Sequence, residues 1–288
     1  MRLVAISDLH ISHRANREAL LEVPDHRDDW LIVAGDVSER ADHLTLALDV
    51  LTSRFARVIW TPGNHDLWIT PGSTARTRGE DRYRELVEIC RRFGATTPED
   101  DYLEWPGALG TYIVPMFLLF DYTFRPPEIE VDDAVNWARS RGVVSGDERM
   151  LATDPWPTIP AWCEARCAET ERRLTSLPDN ARTVLINHWP LRYDLSRPPR
   201  VPPFSVWSGT SRTEDWGRRF RAEAVISGHL HMRTTLWRHG VRYDEVSLGY
   251  PRDWHRERGI DWYLRDVLPA DASVTSRFVP PRDPFLCT

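Results

Sequence analysis

Short apolar runs alternate with amphipathic segments along this chain of 288 residues. Leu3–Ile6 and residues 30–34 and 57–60 show little polar alternation, which predicts strands that are covered on both faces. Further strand patterns follow at residues 183–186, 224–227, 234–237 and 241–246. A turn at His239-Gly240 is predicted to join the last two of these strands as a hairpin.

Helical periodicity fills the spaces between these strands. Leu44, Leu48, Leu51 and Phe55 recur at helical spacing between the second and third strands. A second amphipathic pattern extends from about residue 83 to residue 93 and is followed by a glycine, as is typical of a helix end. A third helix is predicted over about 161–177, so the alternation of strands and helices indicates an α/β fold.

Two stretches interrupt this rhythm. Residues 116–160 are rich in proline, tryptophan and acidic residues, and residues 189–211 contain five prolines. Because a strand pattern resumes after each stretch, we interpret them as insertions into one domain that spans residues 1–288. Loops at the edge of a sheet commonly contact substrates, so both insertions are predicted to cover the active-site edge.

Asp, His or Asn residues directly follow five of the predicted strands. The motifs are Ser7-Asp8-Leu9-His10, Gly35-Asp36, Gly63-Asn64-His65-Asp66, Asn187-His188 and Gly228-His229-Leu230-His231. Ligands of open α/β sheets bind at the carboxyl ends of the strands, so these side chains are expected to converge at one site.

The donors in these motifs are two aspartates, an asparagine and four histidines, and none is a cysteine. Oxygen and nitrogen donors of this kind suit Mn, Fe or Zn rather than a structural zinc held by thiolates. Seven donors exceed what one catalytic ion uses, whereas two ions with a bridging carboxylate would use them all. Paired ions about 3.5–4 Å apart are a common device for displacement at phosphorus.

With these five blocks in this order, the sequence resembles the calcineurin-like metallophosphoesterase superfamily. The resemblance covers residues 8 to 231 and implies a four-layer α/β/β/α sandwich. It implies that Asp36 bridges two divalent or trivalent ions and that His65 contacts phosphate and assists the leaving group. One departure from the family pattern is Asn187, where many members have glycine.

The resemblance also divides the other ligands between the two ions. It implies Asp8, His10 and His231 for the first ion, and Asn64, His188 and His229 for the second. Two cations would neutralise the phosphate oxygens and lower the pKa of a bound water toward ~7, so that a metal-bound hydroxide attacks phosphorus. His65 could then donate a proton to the leaving oxygen.

Composition excludes some other chemistry. The chain has no lysine and no glutamine, which excludes Schiff-base catalysis and phosphate sites built on a lysine. A net charge of -6 and a pI near 5.9 argue against a nucleic-acid partner. The chain opens on a strand pattern rather than a signal peptide, and residues 113–120, its longest apolar run, are too short to span a bilayer. A cytoplasmic protein is expected.

The expected function is therefore hydrolysis of a small organic phosphoester, diester or monoester, with a nucleotide-like substrate as one candidate. Arg192 and Tyr193 could hold its phosphate or base, Trp207 could stack on a ring, and Asn64 and His65 could contact the phosphate. The alternatives are a non-catalytic scaffold that has lost its metals, a nuclease and a protein phosphatase. The sequence predicts no oligomeric state.

Overall fold

Two β-sheets form the centre of the molecule. The computed structural model describes residues 1–73 and 75–269. The strands in that part of the chain are β1 (Leu3–Ile6), β2 (His26–Ala34), β3 (Phe55–Thr61), β4 (Leu103–Glu104), β5 (Thr111–Pro115), β6 (Arg182–Ile186), β7 (Ala222–Ser227), β8 (Thr235–Arg238), β9 (Val241–Glu245) and β10 (Arg265–Leu268). The first sheet has the order β10-β1-β2-β3 and the second β4-β5-β6-β7-β9-β8. Strands β1 to β3 are parallel, as are β5, β6, β7 and β9, while β4, β8 and β10 pair antiparallel at the edges.

Alternating side chains explain how the two sheets pack. Leu3 and Ala5 of β1 belong to an inter-sheet core with residues of β6 and β7 such as Val184 and Ile226, whereas Val4 and Ile6 pack with residues of the helices. The helices of the described residues are α1 (Arg14–Leu21), α2 (Ala41–Arg54), α3 (Asn64–Leu67), α4 (Gly79–Arg92), α5 (Ala134–Ser140), α6 (Asp147–Met150), α7 (Ile159–Thr175) and α8 (Trp216–Arg219). The sheets and the helices outside them form the α/β/β/α sandwich that was predicted.

Most of the predicted elements are found within a few residues of their expected bounds. His239 and Gly240 adopt φ of 53° and 80°, as expected for a tight hairpin turn between β8 and β9. Strands β4, β5 and β10 and helices α1, α3, α5, α6 and α8 were not predicted. The apolar run over residues 113–120 overlaps the end of β5 and continues beyond Pro115, so its pattern does not mark where the strand ends.

The two sheets meet where their parallel strands end. The Ser7 N–H donates to the Val246 carbonyl at 3.1 Å and the Leu248 N–H donates to the Ser7 carbonyl at 2.8 Å. These bonds connect the end of β1 in the first sheet with the end of β9 in the second. Residues 116–160 begin directly after β5, and residues 189–211 begin three residues after β6. No helix in the described part of the chain is long and apolar enough to cross a membrane.

Candidate metal centre

The seven predicted metal ligands lie together at this junction, and we call them the strand-end cluster. Its members are Asp8, His10, Asp36, Asn64, His188, His229 and His231. Five of them have a left-handed backbone, with φ between 42° and 74°: Asp8, His10, Asp36, His229 and His231. A side chain in this conformation is uncommon, and such strain tends to concentrate at functional sites.

Close approach of the backbone requires glycine at two positions of the cluster. A Cβ atom on Gly63 would overlap the Asp36 carboxylate, and one on Gly228 would overlap that of Asp8. The two glycines therefore allow the chain to pass directly behind these two carboxylates. This explains why glycine occupies both positions in the motifs.

One group of donor atoms surrounds Asp8. Its Oδ1 lies 3.1 Å from His231 Nε2 and 3.7 Å from His10 Nε2. The two imidazole nitrogens are 3.3 Å apart. These three residues form one of the groups whose ligand atoms are close enough to hold a single metal ion.

A second group surrounds Asn64 Oδ1. His188 Nε2 lies 3.1 Å from this oxygen and His229 Nδ1 lies 3.2 Å from it. Asp36 stands between the two groups, since its Oδ2 is 3.4 Å from His188 Nε2 and 3.9 Å from His10 Nε2. Its other oxygen accepts the His65 N–H at 2.8 Å. Oδ2 is therefore the oxygen of Asp36 that faces both groups of donor atoms.

Hydrogen bonds to the atoms of the ligands that face away from the cluster orient the remaining donor atoms toward it. His188 Nδ1 lies 2.9 Å from the Ala34 carbonyl, which can only accept, so Nδ1 carries a proton and Nε2 is the nitrogen that faces the cluster, with a free lone pair when the ring is neutral. Asp253 lies 3.0 Å from His231 Nδ1 and fixes that ring in the same way. Ser7 and Ser247 donate to Asp8 Oδ2 at 2.6 and 2.7 Å, which leaves Oδ1 for the cluster.

The donor set fits cations. His188 Nε2 lies 3.1 Å from Asn64 Oδ1 and 3.4 Å from Asp36 Oδ2, an arrangement that needs a proton or a cation between these atoms. His229 Nε2 is buried and has no hydrogen-bond partner among the described residues. Two buried carboxylates in one site also require compensating charge.

Burial controls the charge of the histidines. It lowers the pKa of His10 and of His229 to about 3, so both rings are neutral, as metal ligands must be. Burial acts in the same direction on His188, but Asp36 outweighs it and raises the pKa of His188 to about 9. The site thus binds a proton where a cation could bind instead.

His65 lies beside the cluster and has a carboxylate partner that the sequence analysis missed. Its Nδ1 is 2.6 Å from Glu39 Oε1, and the other oxygen of Glu39 accepts the Ser12 hydroxyl at 2.6 Å. The Trp68 indole lies on the imidazole with ring centroids 3.6 Å apart. Burial opposes the charged form of His65, but Asp36 and then Glu39 raise its pKa overall. The signal available in the sequence was a carboxylate three residues after Asp36.

A cleft of about 390 Å³ opens over the cluster. Its floor includes Asp36, Asn64, His65, His229 and His231. We call its outer wall the cleft rim, which consists of Val144 and Ser145 from the first insertion and Pro198, Val201 and Phe204 from the second. Tyr250 and Arg252 complete the opening, and Arg252 is the one arginine in its described lining. A larger cavity, about 570 Å³, borders Glu39 and Arg82 but includes none of the seven predicted ligands among its described lining residues.

Asn64 and His65 line the cleft, but the other three residues predicted for substrate contact lie elsewhere. Trp207 is 1% exposed and its Nε1 donates to Glu148 at 2.7 Å. Arg192 pairs with Asp194 at 2.9 Å and donates to a backbone carbonyl, and Tyr193 packs near Phe124. None of the three belongs to the described lining of the cleft. The second insertion does reach the cleft, but through the three rim residues and not through these side chains.

Comparison with known proteins gives one family and one relative at high identity. The sequence model of the calcineurin-like phosphoesterase family matches residues 1–233. The chain is 46% identical over 270 residues, 93% of its length and 83% of the relative's, to the [Acyl-carrier-protein] phosphodiesterase PptH of Mycobacterium tuberculosis. The crystal structure of the phosphopantetheinyl hydrolase PptH from that organism superposes with a TM-score of 0.87 at 44% identity, covering 93% of this chain and 96% of that one.

Proposed function

The chain belongs to the calcineurin-like phosphoesterase family, and we propose that it hydrolyses the phosphodiester between a phosphopantetheine arm and an acyl carrier protein. At the level of the family, the chain is a dinuclear metal-dependent phosphoesterase that acts on a small organic phosphate. The carrier-protein substrate is more specific than the family-level function and is the part that we propose. It is suggested by the names of the relative and of its crystal structure.

The observation that carries this proposal is the contrast within the cleft. A floor of imidazole, amide and carboxylate groups lies below an apolar rim in which Val144 is 68% exposed and Val201 44% exposed. Exposed apolar side chains at the mouth of a polar site favour a ligand that has an apolar portion next to its charged group. A phosphopantetheine arm has this character, because a methyl-bearing branched carbon lies close to its phosphate.

We assign the strand-end cluster as the metal site. Asp8, His10 and His231 would hold one ion, Asn64, His188 and His229 the other, and Asp36 both. Bound Mn, Fe or Zn ions would neutralise the phosphate oxygens and lower the pKa of a bound water. The role of the protein is to hold these donors rigidly, which the buried positions and outer hydrogen bonds favour.

His65 is assigned to the leaving oxygen. Hydrolysis breaks the bond between phosphorus and the serine oxygen of the carrier, and an alkoxide is a poor leaving group unless it receives a proton. Glu39 binds Nδ1 of His65 and favours its protonated form, which leaves Nε2–H as the available donor. The same geometry would let His65 and Asn64 contact the phosphate.

The other candidate functions have less support. The nucleotide hypothesis depended on Arg192, Tyr193 and Trp207, which lie outside the cleft lining. A metal-free scaffold would not need seven converging donors, and a net charge of -6 disfavours a nuclease. A protein phosphatase remains a distinct alternative for the assay below. The single domain with two insertions, and the cytoplasmic location, also remain proposals.

The test is hydrolysis of a phosphopantetheinylated carrier protein by the manganese-loaded enzyme. Intact-mass analysis should show that the carrier loses its whole arm, with phosphopantetheine released and the serine hydroxyl restored. The comparison panel contains bis-nitrophenyl phosphate, nitrophenyl phosphate, a phosphoserine peptide, a cyclic nucleotide and a nucleoside monophosphate. Cleavage of another member with an unchanged carrier protein would contradict the proposed substrate while leaving the phosphoesterase activity intact.

A further inference from the structure

A buried carboxylate from the first insertion lies against the metal centre. Asp147 is the first residue of α6 and is 0% exposed. Its Oδ1 accepts the Asn64 side-chain amide at 2.9 Å and the Trp68 indole N–H at 2.6 Å, and its Oδ2 accepts the Ser145 hydroxyl at 2.8 Å. Neither the sequence motifs nor the cluster itself accounts for this residue.

The bond to Asp147 determines which end of the Asn64 amide faces the cluster. With Nδ2 donated to Asp147, Oδ1 is turned toward His188 and His229 at 3.1 and 3.2 Å. The opposite orientation would present an NH₂ group, which donates hydrogen bonds and offers no lone pair to a cation. The carboxylate therefore selects the orientation that can bind a metal.

Asp147 Oδ1 also holds Trp68, the side chain that packs on the His65 ring. Trp68 packs on the His65 imidazole with ring centroids 3.6 Å apart and ring planes tilted by 32°, and its N–H has Asp147 as its acceptor. The loop before α6 also supplies Val144 and Ser145 to the cleft rim. One short segment of the insertion thus contacts both the substrate opening and the residues beneath it.

We propose that Asp147 is a positioning residue that fixes the Asn64 amide for metal binding and holds Trp68 against His65. This inference rests on the ligand roles of the function proposed above. Groups that orient metal ligands in this way typically change metal affinity or activity by about 10–100-fold when they are removed.

The experiment is a calorimetric titration of metal-free protein with Mn²⁺. Asp147→Ala removes the acceptor, and one of the two ions should bind about 10–100-fold more weakly while the other is unchanged. Asp147→Asn can keep an oxygen toward Asn64 and Trp68 and donate its amide to Ser145, so it should stay close to the parent protein. Equal losses in the two variants, or no loss in Asp147→Ala, would overturn the inference.

A matched control comes from the same insertion. Asp121 is 7% exposed and accepts hydrogen bonds from Thr123 and Thr210, but no bond to it comes from the described residues of the cluster. Asp121→Ala should lower thermal stability without changing the affinity for either ion. If it weakens Mn²⁺ binding as much as Asp147→Ala does, Asp147 acts only through the stability of the insertion and the proposal fails.

A rescue experiment separates orientation from folding. Asn64→Asp in the Asp147→Ala background presents an oxygen at either end of the side chain, so the affinity lost in Asp147→Ala should largely return. If the double variant stays as weak as Asp147→Ala, amide orientation is not the cause. Because these titrations contain no substrate, inactivity toward the carrier protein would contradict the proposed substrate alone. Normal Mn²⁺ binding by Asn64→Ala would instead contradict the ligand assignment.

Discussion

The strand-end cluster and the cleft rim border the same cleft but differ in burial and in backbone conformation. Cluster members such as Asp8 and His188 are 0% exposed, and five of the seven have a strained left-handed backbone. No rim residue lies in a strand or an α-helix, and its Val144 and Val201 are more than two-fifths exposed. The cluster is held by hydrogen bonds from both sheets, whereas the rim comes from residues 116–160 and 189–211.

This difference in burial and backbone suggests that the cluster carries out the chemistry and that the rim determines which substrate is preferred. A phosphate group is the same in every phosphoester, so the residues that activate it can be fixed once by the sheets. What distinguishes one substrate from another lies beyond the phosphate, where the rim stands. Substitutions in the cluster should therefore lower activity on all substrates, and substitutions in the rim should change the preference among them.

The largest effect is expected for Asp36→Asn. An amide at the bridging position removes a negative charge shared by both ions, so both should bind more weakly and turnover should fall at least about 10³-fold on every substrate. Metal analysis after gel filtration and steady-state rates would measure this. The control is Asp29→Asn, because Asp29 is a buried carboxylate within β2 that lies outside the cluster. This variant should keep two ions per chain. Retention of both ions in Asp36→Asn would refute a bridging role.

The second effect depends on the leaving group. His65→Ala should retain both ions but lose about 10²–10⁴-fold in rate on the carrier protein, whose serine oxygen needs a proton to leave. Nitrophenol leaves without this help, so bis-nitrophenyl phosphate should be affected much less. Equal losses on the two substrates would assign His65 to phosphate binding instead.

A smaller, pH-dependent effect is expected for Glu39→Gln. Burial opposes the charged form of His65, while Asp36 and Glu39 raise its pKa. Removing the charge of Glu39 should lower that pKa. The step that needs protonated His65 is lost as pH rises through this pKa, so the alkaline limb of the rate profile should move to lower pH. An unmoved limb would show that Glu39 only supports the loop.

The sequence predicted the strand ends better than the contacts around them. Parallel strands of one sheet share a carboxyl edge, so Gly35-Asp36 after β2 could be placed near Ser7-Asp8 after β1, and Asn187-His188 after β6 near Gly228-His229 after β7, without any structure. Glu39 and Asp147 could not be found in this way, because their partners are 26 and 83 residues distant and depend on how loops fold back.

The substrate contacts were the weakest part of the sequence interpretation. The composition of residues 189–211 indicated a wall near the site, but composition does not say which side chains face the cleft. Trp207 is large and apolar, and the structure buries it with its N–H satisfied by Glu148. The less conspicuous Pro198, Val201 and Phe204 form the wall instead.

The smallest effect should come from the rim. Val144→Ala and Val201→Ala each remove two methyl groups from the apolar mouth of the cleft, and burial of a methyl or methylene group is worth about 0.8 kcal/mol. Because both side chains are partly exposed, the expected change is about a 3–10-fold rise in KM for the phosphopantetheinyl carrier protein. Turnover of nitrophenyl phosphate and the binding of two ions should not change, since neither depends on the rim. Leu109→Ala is the control, because this side chain is 82% exposed and lies outside the cleft lining. An unchanged KM in both valine variants would mean that the arm does not contact the rim, and selection would then have to come from Tyr250 and Arg252.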